Sequence, residues 1–133
     1  MMEKGTAALV FVVDDEPTIA QTAALILCGD GFDARAFTDP IVALKAAQTD
    51  PPSLLLTDVI MPNLNGFELS TGIVEDCPQC KVISFSGNPG VREYLATTPT
   101  EKNLDLLVKP IQPVDLLNAI RSKLKVTSSI PSD

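Results

Sequence analysis

The 133-residue sequence contains no histidine and only three cysteines, Cys28, Cys77 and Cys80. A structural zinc site uses four histidine or cysteine ligands, so this set is too small to form one. An odd number of cysteines fits a reducing compartment better than a disulfide scaffold. Cys77 and Cys80 have the C-x-x-C spacing of thioredoxin-like proteins, but they precede a predicted strand instead of opening a helix. We therefore interpret them as part of a helix-to-strand turn, with a redox or metal role as the alternative.

The sequence also lacks a long apolar run and an excess of basic residues. No stretch approaches the length of a membrane span, and the short run at residues 7–13 leads into three acidic residues instead of a cleavage site. The chain contains 10 lysines and arginines but 17 acidic residues. The resulting net charge of −7 argues against a nucleic-acid-binding surface. We expect a cytoplasmic protein that contacts neither membrane nor nucleic acid.

Length and composition predict one globular domain. With 45% hydrophobic residues the chain can bury a core, and we see no internal repeat and no linker to a second domain. We assign residues 1–126 to this domain and residues 127–133 to a polar tail.

The most informative stretch is residues 54–66, with the sequence LLLTDVIMPNLNG. Its three leucines and threonine predict a short buried strand. Asp58 follows directly, at the place where an open α/β sheet binds ligands. Asn65 and Gly66 then supply residues that tolerate positive φ angles. One carboxylate is therefore predicted at a strand end beside a tight loop, although a single aspartate there would be unremarkable by itself.

Strands and helices alternate along the chain. The continuous apolar run at residues 8–13 predicts a strand buried on both faces, whereas the alternating pattern at residues 32–37 predicts an edge strand. Further strands are predicted at residues 54–57, 81–86 and 104–108, and helices at residues 17–28, 40–48, 66–75, 91–97 and 113–124. The predicted apolar faces of these helices include Leu25, Val42 and Val114. Five βα units predict an α/β fold with a parallel sheet, helices on both faces and right-handed crossovers.

Polar side chains follow four of these strands. Asp14 and Asp15 follow strand one, Asp58 follows strand three, Ser86 ends strand four and Lys109 follows strand five. Because the carboxyl ends of parallel strands share one edge, three carboxylates, a hydroxyl and an ammonium should converge there. The carboxylates would repel one another, and a hard divalent cation with oxygen ligands, such as Mg2+, would relieve that repulsion.

This ordered set resembles the response-regulator receiver domain of two-component signalling. The resemblance covers residues 8–124 and rests on Asp14-Asp15, Asp58, Met61-Pro62, Gly66, Ser86-Gly87 and Lys109-Pro110. It implies the flavodoxin-like receiver fold, a doubly wound (βα)5 unit whose five parallel strands lie in the order 2-1-3-4-5.

The resemblance also implies a role for each site residue. Asp58 would be the phosphoacceptor, Ser86 would donate its hydroxyl to a phosphoryl oxygen, and Lys109 would pair with the phosphoryl group. Pro110, cis in the family, would fix the turn that aims Lys109. The implied Mg2+ ligands are Asp14, Asp15, Asp58 and the backbone carbonyl of Ile60, with Asp14 acting through water.

A domain of this kind would take its phosphoryl group from a histidine kinase or a phosphotransfer protein. It would then switch a surface that a downstream protein target reads. It would catalyse only its own phosphorylation and dephosphorylation, so we do not expect an enzyme with a separate substrate. We expect a single-domain protein that is monomeric or weakly dimeric.

Two other interpretations belong to different classes. A phosphatase of the haloacid-dehalogenase type also mounts an aspartate after a parallel strand, but it needs a second acid two residues later, where this chain has Ile60. A receiver-like module that binds partners independently of phosphorylation usually lacks the acceptor, an acid or the lysine, and here Asp58, Asp15 and Lys109 are all present. We therefore prefer the phosphorylatable receiver and keep the binding module as the alternative.

Three further positions predict how such a receiver would behave. Ile60 and Asn88 occupy places that border the path of the attacking water in the family, and an apolar Ile60 should slow hydrolysis of the phosphorylated form. Leu106 occupies the place of the family's aromatic switch residue and has no ring to turn inward. We therefore expect the switch to act through rearrangement or ordering of residues 87–103. The alternative is that Leu106 is simply a core residue and the switch is weak.

Overall fold

The structure is a computed structural model that describes residues 7–87 and 105–124. In chain order the described elements are β1 (Leu9–Val13), α1 (Pro17–Gly29), β2 (Asp33–Phe37), α2 (Pro40–Thr49), β3 (Leu54–Asp58), α3 (Gly66–Asp76), β4 (Lys81–Ser86), β5 (Asp105–Val108) and α4 (Pro113–Leu124). Each of these elements begins and ends within one residue of its predicted bounds. The helix predicted at residues 91–97 and the tail at residues 127–133 lie outside the described residues.

The five strands form one parallel sheet in the order β2-β1-β3-β4-β5, which confirms the predicted topology. β1 lies between β2 and β3, with Val10 paired to Ala34 on one side and to Leu54 on the other. β3 lies between β1 and β4, and all five of its residues are buried. Asp58 is therefore carried at the end of the central strand of the sheet.

Apolar side chains pack on both faces of the sheet. Along β1 they alternate: Val10 and Val12 join a cluster with α1 and α4, whereas Phe11 and Val13 join a cluster with α2 and α3. Full burial of a side chain of this size contributes roughly 1.5 to 3 kcal/mol relative to leaving it exposed. This two-sided burial explains why β1 is a continuous apolar run in the sequence.

The helices bury narrower faces than their apolar patterns predicted. Leu25 of α1 is 73% exposed, and Val42 of α2 and Val114 of α4 are also more than half exposed. The buried face of α1 consists of Ala20, Ala23, Ala24 and Leu27. The small side chains of this face let α1 lie close to the sheet, so only one strip of α1 is covered. No helix in residues 7–87 and 105–124 has the length and apolarity needed to cross a bilayer.

The loop between β3 and α3 differs from its sequence prediction. The positive φ angle of 72° belongs to Asn63, whereas Asn65 has a φ angle of −77° and caps α3. The Asn65 side chain accepts from the backbone N–H of Glu68, and the Glu68 side chain accepts from the backbone N–H of Asn65, both at 2.9 Å. Gly66 is required for a different reason, because a Cβ atom there would collide with the backbone carbonyl oxygen of Asp58.

Cys77 and Cys80 lie in the turn between α3 and β4, as the preferred interpretation predicted. Both thiols are free and buried, and burial together with the neighbouring Cys77 raises the pKa of Cys80 to about 12. A thiol with such a pKa carries almost no thiolate at neutral pH, which argues against a redox role. Within the part of the chain that the structure describes, neither cysteine belongs to a cluster of metal-ligating side chains.

Candidate functional site

Four of the five strands deliver polar side chains to the carboxyl edge of the sheet. Asp14 and Asp15 follow β1, Asp58 ends β3, Ser86 ends β4 and Lys109 follows β5. One carboxylate oxygen from each of the three aspartates lies within 4.8 Å of the others. The structure thus brings the acidic residues that the sequence singled out into one cluster, which we call the acidic cluster.

The members of the acidic cluster differ in burial. Asp14 is fully buried, and its Oδ1 atom accepts a hydrogen bond of 2.9 Å from the backbone N–H of Glu16. This bond ties Asp14 to the residue that precedes α1. Asp58 retains 7% of its accessible surface, whereas Asp15 is exposed. Asp14 is therefore the most deeply buried of the three carboxylates, Asp58 is intermediate and Asp15 is the nearest to solvent.

Lys109 contacts both buried carboxylates. Its Nζ atom lies 2.7 Å from Oδ2 of Asp14 and 3.5 Å from Oδ2 of Asp58. Its backbone N–H donates to the carbonyl oxygen of Ser86 at 2.9 Å, and the Lys109–Pro110 peptide bond is cis. Burial opposes the charged ammonium, but the hydrogen bond to Asp14 and the charge of Asp58 outweigh it and raise the pKa of Lys109 above 10.5. Lys109 is therefore a cation at neutral pH.

The carboxyl group of Asp58 ionises less readily than an exposed aspartate. Burial raises the pKa of Asp58 from 3.8 to about 6, the charge of Asp14 adds to the rise, and Lys109 offsets only part of it. At neutral pH the group is mostly ionised, at an energetic cost to the folded state. A further positive charge beside Asp58 would lower this pKa and stabilise the cluster.

The donor atoms of the acidic cluster fit Mg2+. Three carboxylates share the cluster with Lys109, which leaves an excess of negative charge. The side-chain donors are all oxygens, the ligand type that a hard divalent cation prefers. The chemistry of the site is therefore compatible with the Mg2+ ion expected from the sequence.

Ser86 and Ile60 complete the set of residues that the sequence singled out. Ser86 is 3% exposed at the end of β4. Ile60 lies in the loop two residues beyond Asp58 and is 55% exposed. Metal binding by the Ile60 carbonyl and hydrogen bonding of a phosphoryl oxygen by the Ser86 hydroxyl remain predictions.

The predicted switch segment, residues 87–103, is described only at Gly87, so Asn88 also lies outside the described residues. Leu106 lies on β5, partly buried and paired with Ser84 of β4. Its predicted part in the switch therefore stays a prediction.

Sequence reasoning missed Phe85. The Nζ atom of Lys109 lies 4.8 Å from the centroid of the Phe85 ring, within the range of a cation–π contact. Phe85 is 1% exposed and is paired with Asp58 in the register of β3 and β4. A signal was present in the sequence, because an aromatic residue directly precedes Ser86 on a strand that ends at the site.

A groove opens beside Lys109. It has a volume of about 390 Å3, and apolar side chains of α1 and of the segment after β5 form most of its wall. Its lining includes Ile19, Ile26, Phe85, Pro110, Ile111 and Leu116. The volume is within the range of pockets that bind ligands, so the site combines a charged cluster with an adjacent apolar surface.

Comparison with known protein families decides what kind of domain carries this site. A family model described as the response regulator receiver domain matches residues 10–121. The chain belongs to the response regulator receiver domain family. This receiver domain is accordingly a signalling module of the two-component type, as the resemblance predicted.

Curated relatives of the receiver domain are longer proteins. It is 29% identical to the DNA-binding response regulator MtrA of Mycolicibacterium smegmatis, over 93% of this chain and 54% of that protein. It is 28% identical to the phosphoglycerate transport system transcriptional regulatory protein PgtA of Salmonella typhimurium, over 91% of this chain and 29% of that protein. The receiver domain thus spans about half the length of MtrA and 29% of the length of PgtA.

Solved structures agree with the observed topology. A two component transcriptional regulator AraC from Clostridium phytofermentans is 30% identical, with a TM-score of 0.77 over 92% of this chain and 95% of that chain. A CheY-like response regulator receiver domain protein from Methanospirillum hungatei is 22% identical and supports the fold alone, with a TM-score of 0.82 over 95% of this chain and 100% of that chain.

Proposed function

We propose that Asp58 is the phosphoacceptor of a two-component phosphorelay and that its phosphorylation switches a protein-interaction surface. The observation that carries this proposal is the position of Asp58 at the end of the buried central strand. Its carboxylate lies 3.5 Å from the Lys109 ammonium and within 4.8 Å of two further carboxylates. The donor would be a phosphohistidine on a histidine kinase or phosphotransfer protein.

The proposed reaction is an in-line displacement. An oxygen of Asp58 attacks phosphorus while the bond from phosphorus to the donor's imidazole nitrogen breaks, and the electron pair of that bond goes to the imidazole. The product is an acyl phosphate on Asp58, which water later hydrolyses. Lys109 is close enough to Asp58 to offset the negative charge of the phosphoryl oxygens, and the Ser86 hydroxyl would donate to one of them.

We assign Mg2+ binding to Asp14, Asp15, Asp58 and the backbone carbonyl of Ile60, with Asp14 acting through water. When bound, Mg2+ supplies positive charge to the phosphoryl oxygens. The protein's own contribution is to hold the carboxylates together in advance, at the cost of the repulsion between Asp14 and Asp58. The chain thus promotes its own modification and needs no separate substrate.

The groove beside Lys109 supports a protein as the donor. Apolar side chains of a partner could pack against Ile19, Ile26 and Ile111 while a phosphohistidine reaches Asp58. A second protein would then read the phosphorylated state. We expect this exchange to take place in the cytoplasm.

Incubation with a small phosphodonor and Mg2+, followed by intact mass measurement, tests the assignment of Asp58. The wild-type protein should gain the mass of one phosphoryl group, and Asp58→Asn should gain none. The matched control is Asp76→Asn, which removes an exposed carboxylate at the far end of α3 and should be phosphorylated normally. A phosphoryl group retained in Asp58→Asn would refute the acceptor assignment, whereas an unmodified wild-type protein would favour the phosphorylation-independent binding module.

Replacement of Ile60 by asparagine is expected to shorten the lifetime of the phosphorylated form. The exposed apolar side chain cannot orient water, whereas an amide that hydrogen-bonds the attacking water would accelerate hydrolysis about fivefold if that bond contributes about 1 kcal/mol. Decay of the phosphorylated protein after removal of the donor measures the effect. Ile60→Val, which stays apolar, should decay like the wild type. Unchanged or slower decay of Ile60→Asn would contradict the hypothesis.

A further inference from the structure

Among the residues that the structure describes, Lys109 has three attractive neighbours of two kinds. Two are carboxylates, Asp14 at 2.7 Å and Asp58 at 3.5 Å, and the third is the ring of Phe85, whose centroid lies 4.8 Å from Nζ. The shorter ion pair draws the ammonium toward Asp14 and away from the proposed phosphoacceptor. The ring is the uncharged contact of this set.

The chain holds the Phe85 ring in a fixed position. Phe85 is 1% exposed, belongs to the cluster that packs against α1 and α4, and also lines the groove beside Lys109. Its carbonyl oxygen accepts a hydrogen bond of 3.2 Å from the backbone N–H of Val59, directly after Asp58. The strand that carries the ring is thus bonded to the strand that carries the acceptor.

An aromatic ring attracts a cation differently from a carboxylate. Its electron-rich face draws the ammonium electrostatically, yet the ring offers no acceptor oxygen and does not neutralise the charge. During phosphoryl transfer Lys109 has to exchange a carboxylate for a phosphoryl oxygen. A contact that uses no oxygen can persist while those hydrogen bonds change.

We propose that Phe85 is a positioning residue that keeps the Lys109 ammonium beside Asp58 while its hydrogen-bond partners change. The proposal rests on the function proposed for Asp58 and adds a residue that acts through Lys109. Without the ring, the ammonium would be held mainly by Asp14. The rate of transfer to Asp58 would then fall although the fold and all charged residues are intact.

Fluorinated phenylalanines at position 85 test this proposal directly. Each added fluorine withdraws electron density from the ring face with little change in side-chain volume. In the series from phenylalanine through mono- and difluorinated to trifluorinated rings, the phosphorylation rate at saturating small phosphodonor and Mg2+ should fall stepwise. The change from phenylalanine to the trifluorinated ring should lower the rate about tenfold. A tenfold change in rate corresponds to about 1.4 kcal/mol, which is within the range of a cation–π contact that is shielded from water.

The same series at Phe11 is the matched control. Phe11 is fully buried in β1 but packs in the opposite cluster, with its ring 4.7 Å from that of Phe37. Fluorination there should leave the phosphorylation rate unchanged. Comparable unfolding midpoints for the two series would separate positioning of Lys109 from a general effect of fluorine on the core.

A second measurement detects the contact independently of phosphorylation. In the wild-type protein the ε-methylene protons of Lys109 should be shifted upfield by the Phe85 ring, and Phe85→Leu should abolish that shift. Equal phosphorylation rates across the position-85 series, or an equal decline in the Phe11 series, would overturn the role of Phe85 and leave the proposed function of Asp58 unaffected. A wild-type protein that shows the upfield shift but takes no phosphoryl group would overturn the proposed function, and with it this role in transfer.

Discussion

Replacement of Asp58 by asparagine is expected to raise the free energy of unfolding of the metal-free protein by about 3 kcal/mol at neutral pH. The pKa of Asp58 is about 6 in the folded chain, against an ordinary value of 3.8. One pKa unit corresponds to about 1.4 kcal/mol. The ionised carboxylate therefore lowers the free energy of unfolding by about 3 kcal/mol. Asparagine has nearly the same size and carries no charge, so it removes the penalty.

The sign of the pKa change sets the pH dependence of this effect. Since burial raises the pKa of Asp58, the folded state binds the proton more tightly than the unfolded state. Protonated Asp58 therefore carries no penalty at acid pH, and the penalty develops as the pH rises from 3.8 through about 6. The stability difference between Asp58→Asn and wild type should be near zero below about pH 4 and complete above about pH 7. Urea unfolding in the presence of a chelator measures it.

Asp76→Asn again provides the control for this prediction. It removes a carboxylate that is exposed, so its free energy of unfolding should stay within about 0.5 kcal/mol of wild type at each pH. Added Mg2+ should stabilise the wild type more than Asp58→Asn, because the variant lacks one proposed ligand. An Asp58→Asn protein less stable than wild type at neutral pH would contradict the electrostatic cost assigned to Asp58.

Gly66→Ala is expected to destabilise the protein by about 2 to 3 kcal/mol and to slow phosphorylation of Asp58. An alanine Cβ atom would collide with the backbone carbonyl oxygen of Asp58. A backbone atom of a buried central strand cannot move aside as the end of a flexible side chain would. The start of α3 has to shift, and the 2.8 Å hydrogen bond from the Gly66 N–H to the Val59 carbonyl is expected to be disturbed. Chemical unfolding and the phosphorylation assay measure the two effects.

Gly29→Ala is the matched control for Gly66→Ala. Gly29 is also a helical glycine, but a Cβ atom there would meet no atom within 4 Å. This variant should be unchanged or more stable by up to about 1 kcal/mol, since alanine restricts the unfolded chain. Equal stabilities of Gly66→Ala and wild type would contradict the steric account of Gly66.

The order of strands and helices along the chain could be predicted because each begins and ends at local features of the sequence. These features are apolar runs and the proline, glycine and acidic residues that bound them. β4 occupies residues 81–86 as predicted, since Pro78 follows the end of the preceding helix and Gly87 follows the strand. Asp58 was located by its place after the run at residues 54–57, which Pro52 and Pro62 limit to the length of a short buried strand. Strand order followed from the family resemblance and not from the residues themselves.

Features that depend on packing between distant elements were not predictable. Leu25 lies outside the row formed by Ala20, Ala23, Ala24 and Leu27, so it faces solvent. The apolar residues of α1 are spread too widely for their pattern to single out that row. The positive φ angle belongs to Asn63, whereas Asn65 caps α3 with a φ angle of −77°. The contact between Phe85 and Lys109 joins β4 to the segment after β5. The sequence places an aromatic residue beside Ser86, but its spacing does not give the distance from that ring to Lys109.

β2 occupies one edge of the described sheet, and its composition bears on self-association. The strand is five residues long and carries Asp33 and Arg35, and Arg35 also forms an ion pair of 3.2 Å with Asp50. Charged side chains on a short edge strand disfavour pairing with a strand of another molecule, because their charges would have to be desolvated in the new pair. Concentrated solutions of this protein should therefore resist aggregation through continued strand addition at β2.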